Sequence, residues 1–251
     1  MIKGQTAIVT GGASGLGRAC VEMLRAEGAT VFIADRDARK GREVECATGA
    51  TFIETDVTSE EEVGSLMKAA SSIDTPARVL VNCAGIAPDL LLSRREGLHS
   101  LDALRLTLET NVVGTFLPVA HFAQSLRSVD PIDGDVGVVV MTSSIAAFDG
   151  QVGQAAYAAS KGAIAAMTLP VARDLARLRI RAMTIAPGIF DTPLMEGIPN
   201  PSGAPLGSQV PHPARLGEPA EFAALAKHII ENPMLNGAVI RLDGALRLGP
   251  H

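Results

Sequence analysis

Seven short runs rich in β-branched residues recur along the chain, and each is apolar at both odd and even positions. They are TAIVTG (6–11), ATVFIAD (29–35), ATFIETD (50–56), RVLVNCAG (78–85), GVVVMTSS (137–144), IRAMTIAPG (180–188) and AVIRLDG (238–244). A strand with one wet face alternates polar and apolar residues; a strand apolar at both parities has to be covered on both faces. Helical patterns fill the intervals, at about 15–27, 38–47, 59–72, 101–127, 153–178 and 218–231. Such alternation joins strands by right-handed crossovers and lays them parallel in one sheet. The expectation is an α/β fold: a doubly wound parallel sheet of seven strands flanked by helices, in one domain spanning residues 1–251.

Composition agrees with a large core. Of 251 residues, 47% are hydrophobic and 20% charged, which argues against disorder. Net charge is −5 and no Lys/Arg block stands out, so neither a nucleic acid nor an anionic membrane is an expected partner. Cys20, Cys46 and Cys83 have no metal-like spacing, and the five histidines stand in no ligand-like or Ser-His-Asp pattern; no metal is expected. A strand pattern begins by Thr6, leaving no room for a signal peptide. No apolar run reaches the ~18–20 residues that span a bilayer. A soluble, cytoplasmic protein with reduced thiols is the expectation.

TAIVTGGASGLGRACVEMLRAEGA reads as strand, glycine-rich turn and helix, with glycines at Gly11, Gly15 and Gly17. Without side chains there, the backbone turns tightly and can approach a pyrophosphate, whose charge suits a helix N-terminus. The spacing is G-x-x-x-G-x-G rather than G-x-G-x-x-G, and alone it is a moderate signal. Asp35 ends the second strand, where a carboxylate can accept hydrogen bonds from both adenosine ribose hydroxyls and repel a 2′-phosphate. That favours NAD over NADP, although Arg36 next to it would favour a phosphate. Asp56 ends the third strand and can either meet the adenine edge or serve the turn before TSEEEV, where Ser59 and Glu62 fit a capping box.

AAYAASKGAIAAM (155–167) looks like buried helix, yet it holds the only tyrosine of the chain, Tyr157, and Lys161. One turn apart, the two side chains share a face. An ammonium ~4 Å from a phenolate, at an effective dielectric of ~20, attracts it by about 4 kcal/mol, or roughly three pK units. Burial opposes this. The expected net effect is a phenol brought toward neutrality and fit for general acid–base work. Ser143 and Ser144 end the fifth strand, at the edge where ligands of parallel sheets bind. Either hydroxyl can meet a substrate oxygen, and alternation does not choose between them.

Taken in order, TGGASGLG, Asp35, Asp56–Val57, NCAG, NVVG (111–114), Ser144, YAASK and PGIFDT (187–192) make the chain resemble the short-chain dehydrogenase/reductase family over nearly its whole length. The resemblance implies a Rossmann-type fold, with Tyr157 as acid/base and Ser144, by its spacing from Tyr157, orienting the substrate oxygen. It implies that Lys161 binds the nicotinamide ribose and lowers the tyrosine's pKa, and that Asn111 bends its helix and holds a water. Cofactor contacts implied alongside the three glycines and Gly85 are Ser14, Leu16, Asp35, Asp56, Val57, Cys83, Tyr157, Lys161, Phe190 and Thr192. The usual NNAG reads NCAG here. FDGQVGQAAYAASKGAIAAMTLPVARDLA, SQVPHPARLGEPAEFA and IIENPMLNGAVIRLDGALRLGP are similar to the subgroup that oxidises 3-hydroxyacyl-CoA thioesters with NAD, and in some cases hydroxysteroids.

The Pro- and Gly-rich stretch 189–217 is too long to be an idle connection. It is expected to form a substrate loop, with Leu194, Met195, Ile198 and Leu206 as an apolar wall and with glycine hinges. Arg94, Arg95 and Arg215 could meet CoA phosphates, though a solvated surface is the expected home for each, and Pro170 is expected to kink its helix. Leu104, Leu108, Val112, Phe116 and Val119, with Ala158, Ala165 and Leu169, offer more apolar surface than one sheet face covers. With the resemblance, this implies a homotetramer.

Overall fold

The computed structural model describes residues 2–71, 76–88, 90–95, 97–195 and 205–250. In chain order these form β1 (Thr6–Thr10), α1 (Gly15–Ala26), β2 (Thr30–Asp35), α2 (Ala38–Thr48), β3 (Thr51–Glu54), α3 (Glu60–Ser71) and β4 (Ala77–Asn82). A short hairpin follows, β5 (Ser93–Arg94) and β6 (Gly97–Leu98), then α4 (Leu101–Leu108), a π-turn (Glu109–Val113) and α5 (Gly114–Ser125). The remainder is β7 (Gly137–Thr142), α6 (Ala146–Asp149), α7 (Ala155–Ala176), β8 (Ile180–Pro187), two 3-10 turns, α8 (Pro219–Glu231) and β9 (Val239–Leu242).

The seven strands of the main sheet run in the order β3-β2-β1-β4-β7-β8-β9, and every pairing is parallel. This is the Rossmann-type arrangement. The reason for doubly apolar strands is visible in the two cores. Val9, Val81, Val140 and Ile185 point into the layer with α1 and α8, while Ile8, Leu80, Val139 and Met141 point into the layer with α3, α5 and α7. The chain moves outward from β1 to β2 and β3, then returns to lay β4 on the other side of β1. At that reversal two crossovers diverge, and a crevice opens beyond the carboxyl ends of the strands.

Two details differ from the sequence pattern. The helix expected over 101–127 is interrupted by the π-turn Glu109–Val113. Strand β7 stops at Thr142, so Ser143 and Ser144 lie just past it. Helix α7 runs from Ala155 to Ala176 with Pro170 inside it, in line with the helix expected over 153–178. Among the described residues no helix is long and apolar enough to cross a membrane.

Candidate active site

The site begins at the turn after β1. Gly11 has φ +65°, and a Cβ on it would lie 2.6 Å from the Ala84 nitrogen; a Cβ on Gly17 would lie 2.2 Å from the Gly11 carbonyl oxygen. Only glycine permits that packing, in which α1 starts directly against the turn and against the exit of β4. Ser14 occupies the N-cap of α1 without a side-chain cap bond, and the first turn carries no acidic residue. No side chain of the helix's own first turn therefore occupies its N-terminal N–H groups. Asp35 braces the turn: its Oδ2 accepts from the Ala13 N–H at 3.1 Å and its Oδ1 from the Asp37 N–H at 3.0 Å. Asp56 is exposed, and its Oδ1 accepts from both the Thr58 N–H and the Thr58 hydroxyl, at 2.9 and 2.7 Å. Those bonds hold its carboxyl below the usual range. The capping box is half formed: Ser59 accepts from the Glu62 N–H, but the Glu62 carboxylate reaches the Asp56 N–H instead of that of Ser59.

At the other end, the two serines after β7 part ways. Ser143 donates to the Lys161 carbonyl at 2.7 Å and pins α7 to the strand. Ser144 accepts from the Ala146 N–H at 3.1 Å, and its hydroxyl shares the cavity wall with the Tyr157 phenol. Lys161 is buried, and its Nζ donates to the Thr142 carbonyl at 2.9 Å, standing 5.8 Å from the Tyr157 ring centroid. Behind them, Ser160 donates to the Tyr157 carbonyl at 2.7 Å and accepts from Asn111 Nδ2 at 2.9 Å. Asn111 also exchanges both amide bonds with the Ile86 backbone, at 2.8 and 2.9 Å. Asn111 lies within the π-turn. There it ties α7 to the loop leaving β4.

The electrostatics correct one expectation. The phenol of Tyr157 is pushed up by burial, with the Ser144 hydroxyl opposing. Burial also brings Lys161 down, to about 8. Both shifts favour the neutral form, because burial takes the charged form of each group out of water.

Every residue assigned from the sequence to the cofactor or catalytic set lines one cavity of about 750 Å³, Asn111 excepted; Asn111 sits fully buried behind the wall. The stretch after β8 folds over this cavity. The Thr192 side chain comes within 3.3 Å of where a Cβ on Gly15 would stand, and Phe190 is buried beside Gly217. Leu194, Met195 and Leu206 line the far half. Ile198 lies outside the described residues, as do Gly197, Pro199, Pro201 and Gly203. Of the arginines considered for CoA, Arg215 grips the Glu221 carboxylate with two nitrogens at 2.8 Å, so its charge is already partnered. The cradle fits a nicotinamide dinucleotide: uncapped N–H groups for a pyrophosphate, a half-buried carboxylate at the end of β2, and a channel continuing to Tyr157.

The sequence model of the family described as short chain dehydrogenase matches residues 5–202. The chain belongs to that family. It is therefore an oxidoreductase, and family membership implies a nicotinamide cofactor. The chain is 46% identical over 255 residues to the 3-hydroxyacyl-CoA dehydrogenase type-2 of Drosophila melanogaster, covering 100% of each chain. It is 46% identical over 254 residues to the human protein of that name, covering 99% of this chain and 97% of the other. A crystal structure titled 3-hydroxyacyl-CoA dehydrogenase type-2 from Mycobacterium avium superposes with a TM-score of 0.91 at 38% identity, covering 99% and 98%.

Within this dehydrogenase, sequence reasoning overlooked several participants. Thr142 works through its carbonyl, which no side-chain pattern reveals. Ser160 had a visible signal, a lone hydroxyl inside an apolar helix next to Lys161. Leu248 and Gly249 reach the cavity from the far end of the chain, where Gln151 donates to the Gly249 carbonyl at 3.2 Å and the Val152 N–H to the Pro250 carbonyl at 3.0 Å. No local pattern announces that return.

Proposed function

We propose that this dehydrogenase oxidises the 3-hydroxyl of short or branched 3-hydroxyacyl-CoA thioesters to the ketone, reversibly, with NAD. The observation that carries the substrate class is full-length identity of 46% to proteins named for that reaction. The apolar wall of Leu194, Met195, Leu206 and Leu248 supports it, since a polyol would lose hydrogen bonds there. NAD is favoured by the Asp35 carboxylate, which would face a 2′-phosphate.

Ser144 orients the substrate oxygen and Tyr157 takes the hydroxyl proton. Both groups line the same stretch of the cavity, so one substrate oxygen can meet both. When bound, the nicotinamide supplies the carbon that accepts the hydride. Gly11, Ser14, Gly15, Leu16 and Gly17 would hold its pyrophosphate side; Asp35, Asp56 and Val57 the adenosine; Cys83, Gly85, Lys161, Phe190 and Thr192 the nicotinamide half. Lys161 carries charge into a volume that otherwise favours neutral groups, and Asn111 positions α7 through Ser160.

The test is a substrate panel with NAD, followed by NADH absorbance: 3-hydroxybutyryl-CoA, a branched 3-hydroxyacyl-CoA, a hydroxysteroid, a polyol and an acyl-carrier-protein thioester. Turnover of the CoA thioesters at least tenfold above all others supports the reading. Preference for another member, or for NADP, replaces it.

A further inference from the structure

The C-terminal tail returns to the cavity through residues that the proposed reaction does not use. Past β9 the chain reverses: Gly244 has φ +56° and Ala245 φ +67°. An alanine in the left-handed region is strained, and such strain persists only where the surrounding groups over-determine it. Asp243 is the pivot. Its Oδ1 accepts from the Ala245 N–H at 3.0 Å, and its Oδ2 accepts from Arg241 Nε at 2.7 Å and from Arg247 Nη1 at 2.9 Å. Arg241 reaches further with Nη2, which donates to the Asp149 carboxylate at 2.5 Å and to the Leu246 carbonyl at 3.0 Å. The Arg241 and Asp149 side chains are 22% and 21% exposed, so water screens this pair less than an ion pair on the open surface.

Asp149 is the last residue of α6, in the segment that joins Ser144 to Tyr157. The turn that follows takes the end of the tail: Gln151 Nε2 donates to the Gly249 carbonyl and the Val152 N–H to the Pro250 carbonyl. At the near end of the tail, Leu246 buries its side chain in the cluster of Ile145 and Val210. Between these two attachments, Leu248 and Gly249 line the cavity together with Ser144, Gln154 and Tyr157. We propose that Asp149, Arg241 and Asp243 form an ionic latch that sets the C-terminal tail as a wall of the substrate pocket, with Arg241 as a positioning residue for substrate. This rests on the cavity taking the acyl thioester as proposed above.

The shape of the guanidinium makes the latch. Its planar fork gives Nε to Asp243 and Nη2 to Asp149 and Leu246, so one rigid group joins the end of β9, the end of α6 and the tail. A lysine keeps the charge but has a single nitrogen to share among three partners. None of Asp149, Arg241 and Asp243 lines the cavity, so the latch acts on substrate only through the tail. Releasing it loosens the wall that carries Leu248. A short acyl chain then loses its packing, while a longer one gains room.

The experiment uses the whole protein and follows the reduction of acetoacetyl-CoA and 3-oxooctanoyl-CoA by NADH absorbance. In Arg241→Met the KM for acetoacetyl-CoA should rise about tenfold with kcat within about threefold, and the kcat/KM ratio of the eight-carbon to the four-carbon substrate should rise by roughly tenfold. The Kd of NADH, read from the fluorescence of the dinucleotide, should not move. Arg241→Lys and Asp149→Asn should show the same pattern more weakly, and Asp149→Asn carries the test if Arg241→Met does not fold. In Leu248→Ala the wall has already lost its side chain, so adding Asp149→Asn should raise the chain-length ratio by less than the product of the two single effects. An unchanged KM, an NADH Kd that moves in step with KM, or independent effects in the double variant overturns the proposal. The tail is also read without substrate. Hydrogen exchange across 150–154 should quicken in the latch variants, because the Val152 N–H is bonded to the Pro250 carbonyl; unchanged exchange overturns the latch. If the parent leaves acetoacetyl-CoA unreduced while exchange quickens as expected, the substrate reading fails and the latch stands.

Discussion

Tyr157 and Lys161 share one face of α7, and burial moves both toward neutrality, the phenol upward and the ammonium down to about 8. Tyr157→Phe keeps the ring and its packing and removes the proton carrier. It should bind NADH as the parent does and lose roughly 10²–10⁴-fold in turnover; turnover within a few-fold of the parent would remove Tyr157 from the chemistry. Because oxidation needs the phenolate and the phenol is raised, alcohol oxidation should speed up as pH rises from 7 toward 10. Lys161 makes a separate prediction about stability. Below about pH 8 folded and unfolded chains both hold its proton, so folding bears the cost of burying the charge in full; between about 8 and 10.5 the unfolded chain binds more protons and stability rises with pH. Lys161→Met removes that term. Its stability relative to the parent should therefore be greatest near pH 7 and fall by on the order of 3 kcal/mol by pH 11. Urea denaturation of the cofactor-free proteins measures it, and a pH-independent difference would contradict it. Asp35→Ser removes the carboxylate that would oppose a 2′-phosphate, and should shrink the ratio of NAD to NADP efficiency by at least about tenfold.

Two segments from distant parts of the chain close the substrate end of the cavity. One is the stretch after β8, held by Thr192 against Gly15 and by Phe190 against Gly217. The other carries Leu248, which packs against the small cluster of Ile145, Val210 and Leu246 and lines the same cavity as Ser144. Leu248→Ala should lengthen the acyl pocket and raise the kcat/KM ratio of eight-carbon to four-carbon 3-hydroxyacyl-CoA by roughly tenfold, leaving NADH binding unchanged. A parallel change at every chain length would make Leu248 a support and not a selector. Hydrogen exchange across 193–195 and 205–210 should slow when NADH and acetoacetyl-CoA are both bound, as a closing lid requires.

At the scale of the molecule, the apolar residues picked out for a tetramer separate into two groups. Val119 is buried within the protomer and belongs to the core beneath α5, so it is withdrawn from the interface. Phe116 and Leu169 are 54% and 44% exposed, too much apolar surface on neighbouring helices to leave wet without a reason. We expect a homotetramer by light scattering at micromolar concentration, and expect Phe116→Glu to dissociate it into smaller species. A monomeric parent would rule the assembly out.

What the sequence determined by itself rests on local physics. Doubly apolar β-branched runs separated by amphipathic ones admit only strands covered on both faces, hence the parallel sheet with its two cores. Glycines at 11, 15 and 17 mark a turn that no side chain fits, and Asp35 marks the end of β2. The order of the motifs was enough to imply the family. Tertiary structure decided what depends on which distant groups meet. Ser143 and Ser144 are neighbours of the same type, and only the docking of α7 on β7 turns one to the Lys161 carbonyl and the other to the cavity wall it shares with the phenol. The direction of the Tyr157 and Lys161 shifts needed the depth of burial, which helical spacing does not encode. The return of Leu248 and Gly249 to the cavity beside Gln151 brings together residues about a hundred positions apart, and periodicity carries no information about such meetings.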